Sequence, residues 1–177
     1  MNTLQEYNTF DNGDHTTYNF EKFLTAVQYD KLELIKYMLE HDLVDPSKQN
    51  NEAIITAVRK GHFYIVEYLL KDSRVDPSAE NNQAIIIASL GNYVDIFDML
   101  IKDSRVDPSV MTNHALRYAS ISGHIYIINK LLDDKRVLDE LKNIEFNKLN
   151  LLVKQALIKK FDFINTIEDV KMFVSMM

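Results

Sequence analysis

The sequence predicts an all-α solenoid, about four helical hairpins in series closed by an atypical C-terminal helical cap, and three observations predict it. Asp-Pro-Ser recurs at Asp45, Asp76 and Asp107, in steps of 31 residues. Ser-Arg-Val stands at Ser73 to Val75 and again at Ser104 to Val106, with Lys135-Arg136-Val137 one period later. Apolar columns keep the same step: Ala26, Ala57, Ala88 and Ala119; Leu34, Ile65, Ile96 and Ile127; Met38, Leu69, Leu100 and Leu131, flanked by Leu39, Leu70, Ile101 and Leu132. Self-similarity at a fixed period of about 20–50 residues marks units that stack to bury a common core.

A polar leader, residues 1–18, carries a turn signal at Asp11-Asn12-Gly13-Asp14. Four units follow, at about 19–44, 45–75, 76–106 and 107–137. Each resolves into two short helices. The first, as in Glu52 to Lys60, follows Asn51, with Asn82 and Asn113 at the same place in later units. Asparagine there is expected to cap the helix, its side-chain oxygen accepting a free first-turn amide. Ala53, Ile54 and Ala57 make one apolar stripe. Gly61-His62 and Gly123-His124 break the helix, glycine tolerating the left-handed conformation past a helix end. The second helix, about Phe63 to Lys71, is expected to bury Ile65, Val66, Leu69 and Leu70. Ser-Arg-Val-Asp-Pro-Ser then crosses in extended form, because proline excludes the residue before it from the helical region. Neither helix is long enough to be stable alone, so the units must stack, with the alanine column at the closest approach.

After Val137 the pattern degenerates, and Leu138-Asp139-Glu140 replaces Asp-Pro-Ser. Leu149, Leu152, Val153, Ala156 and Leu157 form one helical stripe; Ile164, Ile167, Val170, Phe173 and Val174 form another. Residues 138–177 are read as two longer helices that cap the stack, or as a degenerate fifth repeat.

At 177 residues the chain suits one domain, and 46% hydrophobic with 26% charged residues is ordinary for a soluble protein. A net charge of −6 argues against a general nucleic-acid binder, so no nucleic-acid partner is expected. No run of about 18 apolar residues offers a membrane span, and no signal peptide is expected from the first residues. The absence of cysteine excludes disulfides, thiol nucleophiles and thiolate metal sites, and it fits a reducing compartment. A cytoplasmic location is expected, with the cytoplasm or nucleus of a host cell as variants.

Helix, Gly-His, helix and extended connector together resemble the ankyrin repeat. The residues that carry the resemblance are Ala57, Gly61-His62, Ile65-Val66 and Leu69-Leu70, and again Ala119, Gly123-His124, Ile127-Ile128 and Leu131-Leu132. The departures are a period of 31 where ankyrin repeats have about 33, and Asn-Glu-Ala-Ile or Asn-Gln-Ala-Ile in place of Thr-Pro-Leu-His. No glycine closes the second helix, and unit three has Gly91-Asn92 in place of Gly-His. The Asp-Pro-Ser form looks like a divergent branch associated with large DNA viruses and protists. The resemblance covers about residues 19–137 and implies that His62 and His124 bond backbone near a helix start.

No constellation of catalytic residues emerges. Of the histidines, His15, His41, His62, His114 and His124, no two stand at i and i+4 on one helix, so no metal is expected. Catalytic carboxylates need a cleft that raises the pKa of one of them, whereas the paired acids, Asp11/Asp14, Asp133-Asp134 and Glu168-Asp169, fall in turns or at helix ends, where acids are usually solvated. Asp72, Asp103 and Asp134 beside Arg74, Arg105 and Arg136 read as an ion-pair ladder between repeats, about 0–1 kcal/mol for each exposed pair. With glycine only at 13, 61, 91 and 123 there is no phosphate-binding loop or nucleophile elbow. No enzyme activity and no cofactor are expected.

The resemblance implies an inner groove lined by connector tips and by the last exposed positions of each first helix. These are Tyr18, Gln28 and Tyr29 in unit one; Lys48, Gln49, Arg59 and Lys60 in unit two; Ala79, Glu80 and Leu90 in unit three; Val110, Met111, Ile121 and Ser122 in unit four. The strip runs from aromatic to basic to apolar, with Leu90, Met111 and Ile121 as an apolar patch beside Arg59 and Lys60. The expected function is a non-catalytic module, monomeric or weakly homo-oligomeric, whose groove binds a segment of a protein partner. The alternative is an adaptor whose C-terminal helices recruit a second machine such as a ubiquitin ligase. An enzyme or small-ligand binder ranks below both.

Overall fold

The computed structural model describes residues 18–141 and 150–160, and no strand occurs among them. The leader and the stripe from Ile164 to Val174 lie outside the described residues, except Tyr18. The chain divides into two compact units, Met1–Asp76 and Pro77–Met177.

The first unit contains α1 (Phe20–Gln28), α2 (Leu32–Glu40), α3 (Lys48–Lys60) and α4 (Phe63–Leu70). Asn19 caps α1, its Oδ1 accepting the Lys22 amide at 2.9 Å. α1 packs on α2 and α3 on α4, and the two hairpins stack through α1 on α3 and α2 on α4. The shared core is Phe23, Ala26, Val27, Ile35 and Met38 against Ala53, Ile54, Ala57, Ile65, Val66 and Leu69, all buried. Each large apolar side chain buried this way contributes about 1.5–3 kcal/mol, which helices of 8–13 residues cannot obtain alone. Leu70, expected in this core, is only half-buried: it stands beside Leu69, at the edge of the stripe α4 turns inward.

The second unit repeats the arrangement with α5 (Ala79–Gly91), α6 (Val94–Leu100), α7 (Val110–Ser122) and α8 (Ile125–Leu131), followed by α9 (Lys135–Leu141) and α10 (Leu151–Lys160). α5 lies along α7, α6 on α8, α9 on α7 and α10 on α8. Val153, Ala156 and Leu157 of the expected C-terminal stripe are buried. α9 is not legible in the sequence, where the repeat lapses after Val137.

The Asp-Pro-Ser motif is a hydrogen-bonded turn. Asp45 Oδ1 accepts both the amide and the hydroxyl of Ser47, at 2.9 and 2.7 Å, and Asp107 treats Ser109 identically. Pro46, Pro77 and Pro108 are buried between them. Three successive residues then adopt left-handed backbone: Gln49, Asn50 and Asn51; Glu80, Asn81 and Asn82; Met111, Thr112 and Asn113. Right-handed helix begins only after the asparagine in each case.

That geometry overturns the expected capping role of Asn51, Asn82 and Asn113. The side-chain oxygens of Asn51 and Asn82 are taken by groups outside the helix and that of Asn113 has no partner, so none caps its helix. Asn51 Oδ1 accepts the Asp76 amide and Asn82 Oδ1 the Asp107 amide, both at 2.7 Å, while Asn113 Nδ2 donates to the Val137 carbonyl at 3.0 Å. These buried side chains tie the start of one hairpin to the connector that follows it. Asparagine suits both demands, because it tolerates left-handed backbone better than other non-glycine residues and carries a long-range donor and acceptor.

The turn between helices also sits one residue from where the sequence reading put it in the third repeat. The left-handed positions are Asp30, Gly61, Asn92 and Gly123, a column in steps of 31, so Asn92-Tyr93 matches Gly-His and Gly91 is the last helical residue. A Cβ at Gly91 would come within 2.6 Å of the Tyr93 ring. Glycine there makes room for a tyrosine where the other repeats carry histidine or lysine.

Candidate interaction face

Positions i, i+4 and i+7 of a helix share one face. On the first helices of the first unit that face is polar and bonded to itself. Glu21 of α1 accepts Gln49 Nε2 at 3.3 Å, and its carbonyl takes the Thr25 hydroxyl at 2.8 Å. On α3, Thr56 donates to Glu52 Oε1 at 2.8 Å, and Arg59 Nη1 reaches the same carboxylate at 3.1 Å. Gln28, Lys48, Gln49, Arg59 and Lys60 are exposed, and Tyr29 is 57% exposed. Tyr18 is half-buried, its ring 5.8 Å from that of Tyr37.

The equivalent face in the second unit is more apolar. On α5 it reads Gln83, Ile87 and Leu90; on α7, His114, Tyr118 and Ile121. Leu90 is 47% exposed and Ile121 66%, while Met111, in the left-handed turn that opens α7, is 53% exposed. These three belong to one unit. Leu90 and Ile121 hold equivalent places on two helices packed side by side, and His124 Nε2 donates to the Leu90 carbonyl at 3.0 Å, fixing that register. Met111 and Ile121 stand at opposite ends of α7, and a ring pair fills the interval. His114 Nδ1 bonds the Met111 carbonyl, its ring lies 5.8 Å from Tyr118, and Tyr118 is three residues from Ile121. Arg117 lies over the Tyr118 ring at 5.8 Å from its centroid.

Ile87 and Tyr118 complete this stripe and were missed from sequence, where apolar residues inside a helix read as core; both are half-buried. Their signal was available: they stand one period apart and one turn before Leu90 and Ile121. Of the other expected positions, Glu80 and Ser122 are exposed, whereas Ala79 and Val110 are half-buried within the turns that follow Ser78 and Ser109.

The remaining polar residues serve the scaffold. His62 Nε2 donates to the Gln28 carbonyl at 3.3 Å, as His124 does to Leu90. The imidazoles therefore bond the last turn of the preceding repeat's first helix, not a helix start. The expected ladder is also built differently, since each aspartate pairs with the arginine of its own turn. Arg74 Nη2–Asp72 Oδ2, Arg105 Nη2–Asp103 Oδ2 and Arg136 Nη2–Asp134 Oδ2 are 2.7, 2.6 and 2.7 Å. These guanidinium bonds hold the three carboxyls below the usual aspartate range. The link between repeats comes from the other guanidinium nitrogen: Arg74 Nη1 to Asp42 at 2.6 Å, and Arg136 Nη1 to the Val106 carbonyl at 2.8 Å.

A shallow depression in the first unit is lined by Leu39, Glu40, Tyr68, Lys71 and Asp72. Its polar groups are engaged with neighbours: Tyr68 donates to Glu40 at 3.2 Å, Lys71 pairs with Glu67 at 3.4 Å, and Arg74 holds Asp72. Among the described residues no three histidine or acidic side chains are grouped to hold a metal, and no helix is long and apolar enough to cross a membrane.

Residues 10–81 match a family model described as ankyrin repeats (3 copies). Comparison with curated proteins and with solved structures gives no match. Ankyrin repeats are generally protein–protein interaction modules and typically non-catalytic. By that match residues 10–81 are ankyrin repeats, and the same helical hairpin recurs in α5–α6 and α7–α8.

Proposed function

We propose that the chain binds a segment of a protein partner on the first-helix face of its second unit, with Leu90, Met111 and Ile121 as anchors and Ile87 and Tyr118 as the floor between them. One observation carries the reading. The face that is polar and self-bonded on α1 and α3 of the first unit carries, on α5 and α7 of the second, the exposed apolar Leu90 and Ile121 beside half-buried Ile87 and Tyr118. Apolar side chains at positions that face water mark interaction sites more sharply than apolar residues in a core. The backbone beneath them is fixed by the His124–Leu90 and Asn82–Asp107 bonds, so little ordering cost attends binding.

Binding energy concentrated in a few side chains gives a direct test. The chain carrying Met111→Asp and Ile121→Asp is expected to keep its melting temperature within a few degrees and to lose about 30-fold or more in affinity for a protein captured by the wild type, measured by calorimetry. Unchanged affinity in the folded double variant refutes the assignment. The basic positions Lys48, Arg59 and Lys60 supply the contrast: Arg59→Ala is expected to weaken the same complex far less.

A further inference from the structure

Asn51 and Asn82 each turn their amide oxygen to the next connector and accept the N–H of Asp76 and Asp107. Asn113, the third of that column, is the most deeply buried, at 2% exposure against 8% and 6%. It presents its other end: Nδ2 donates to the Val137 carbonyl, and Oδ1, shut off from solvent, has no hydrogen-bond partner. The cause lies at Leu138, one period after Asp107. Its N–H is committed to the Asp134 carbonyl at 3.1 Å in the first turn of α9. The carbonyl and N–H of one trans peptide point in opposite directions, so the 137–138 peptide offers Asn113 a carbonyl where the other connectors offer an N–H. A buried acceptor left without a donor destabilises the state that contains it.

The first half of a connector is present. Asp134 and Arg136 reproduce the turn of Asp72 with Arg74 and of Asp103 with Arg105, bond for bond. Val137 is fully buried, as are Val75 and Val106 to within 1%. What differs is Asp-Pro-Ser, whose place Leu138-Asp139-Glu140 takes, and the proline matters most. Pro77 and Pro108 bar the preceding residue from helix, whereas Asp139, at their place, leaves Leu138 free to enter one.

We propose that residues 135–141 are a two-state element. One state is α9; in the other, the 137–138 peptide and the Asn113 amide turn over, the segment runs as an extended connector, and the Leu138 N–H donates to Asn113 Oδ1. The exchange trades the turns of α9 for a buried hydrogen bond of the kind the two preceding repeats make. Because α9 packs on α7, the helix that carries Met111 and Ile121, its withdrawal changes the flank of the apolar stripe. A partner seated on α7 would then bias the switch; that coupling, unlike the switch itself, rests on the proposed docking.

The test is amide ¹⁵N saturation-transfer NMR on the full chain. In the wild type, amides of 135–141 are expected to exchange with a minor state of roughly 1%. Its shifts should coincide with those of the Asp139→Pro chain, in which the connector is locked and the residue 138 amide is protected from solvent exchange. Asn113→Gly, which keeps the left-handed backbone and removes the amide, and with it the orphaned acceptor, should leave α9 in place and abolish the minor state. Flat profiles in the wild type overturn the proposal, as does a minor state that survives Asn113→Gly. So does an Asp139→Pro chain that fails to fold or leaves residue 138 unprotected, because α9 would then be indispensable.

Discussion

Asn82 Oδ1 accepts the Asp107 amide at 2.7 Å across 25 residues of chain, and Asn82 itself sits at φ 60°. One side chain thus meets two unrelated demands, left-handed backbone and a bridge to the next connector. They can be separated. Asn82→Gly keeps the backbone and loses the acceptor, so it is expected to cost about 1–3 kcal/mol through the unsatisfied Asp107 amide. Asn82→Ala adds the left-handed penalty of about 1–2 kcal/mol. Denaturant melts should rank wild type, glycine, alanine in falling stability; alanine equal to glycine would mean that the backbone is not held left-handed.

Gly123 and Gly91 make the register of the inter-helix turn testable. A Cβ at Gly123 would touch nothing within 4 Å, so the whole cost of Gly123→Ala, about 1–2 kcal/mol, comes from φ +77°. Gly91 is helical, and alanine would gain about 0.5–1 kcal/mol there but for the Tyr93 ring 2.6 Å from its Cβ. Gly91→Ala should therefore destabilise the wild type yet stabilise a Tyr93→Ala chain, as read by paired thermal melts. If alanine is tolerated at Gly123 and harmful at Gly91 in both backgrounds, the left-handed residue of this column is misplaced.

What the sequence could and could not convey follows from these residues. The 31-residue step placed the helices, because the alanine and Met38/Leu69/Leu100/Leu131 columns are buried in every repeat. It could not tell a capping asparagine from a bridging one: both precede a helix, and the bridging partner lies in another hairpin. Gly91 drew the turn one residue early because glycine is the stronger local signal than the asparagine beside it. The stripe on α5 and α7 was half legible: Leu90 and Ile121 stood out by register, whereas Ile87 and Tyr118 have the composition of core. α9 was invisible, since it arises from the loss of a proline and not from a helical pattern of its own.

Ala88 tests the stacking itself. It is fully buried, as are Ala57 and Ala119 one period to either side, and it lies on α5, which runs along α7. Ala88→Leu is expected to cost about 1–3 kcal/mol by overpacking. An unchanged midpoint in a chemical melt would show slack that this column does not display.

Acid should expose the connector turns. Asp45 is held low by the hydroxyl and amide of Ser47, and Asp72, Asp103 and Asp134 by the guanidiniums of Arg74, Arg105 and Arg136. A carboxyl whose folded pKa lies below its unfolded value of about 3.9 contributes stability that is fully present above that value. The contribution is lost as pH falls through the folded pKa. Stability is therefore expected to be level from neutral pH to about pH 5 and to decline below about pH 4 as these four turns take up protons. Arg136→Gln removes the depression at Asp134, so the variant is expected to be less stable at neutral pH and to have a shallower acid limb than the wild type, by the share of that one carboxyl. Urea melts across pH 2.5–7 provide the measurement, and coincident acid limbs for the two chains would show that Arg136 does not hold the Asp134 carboxylate in solution.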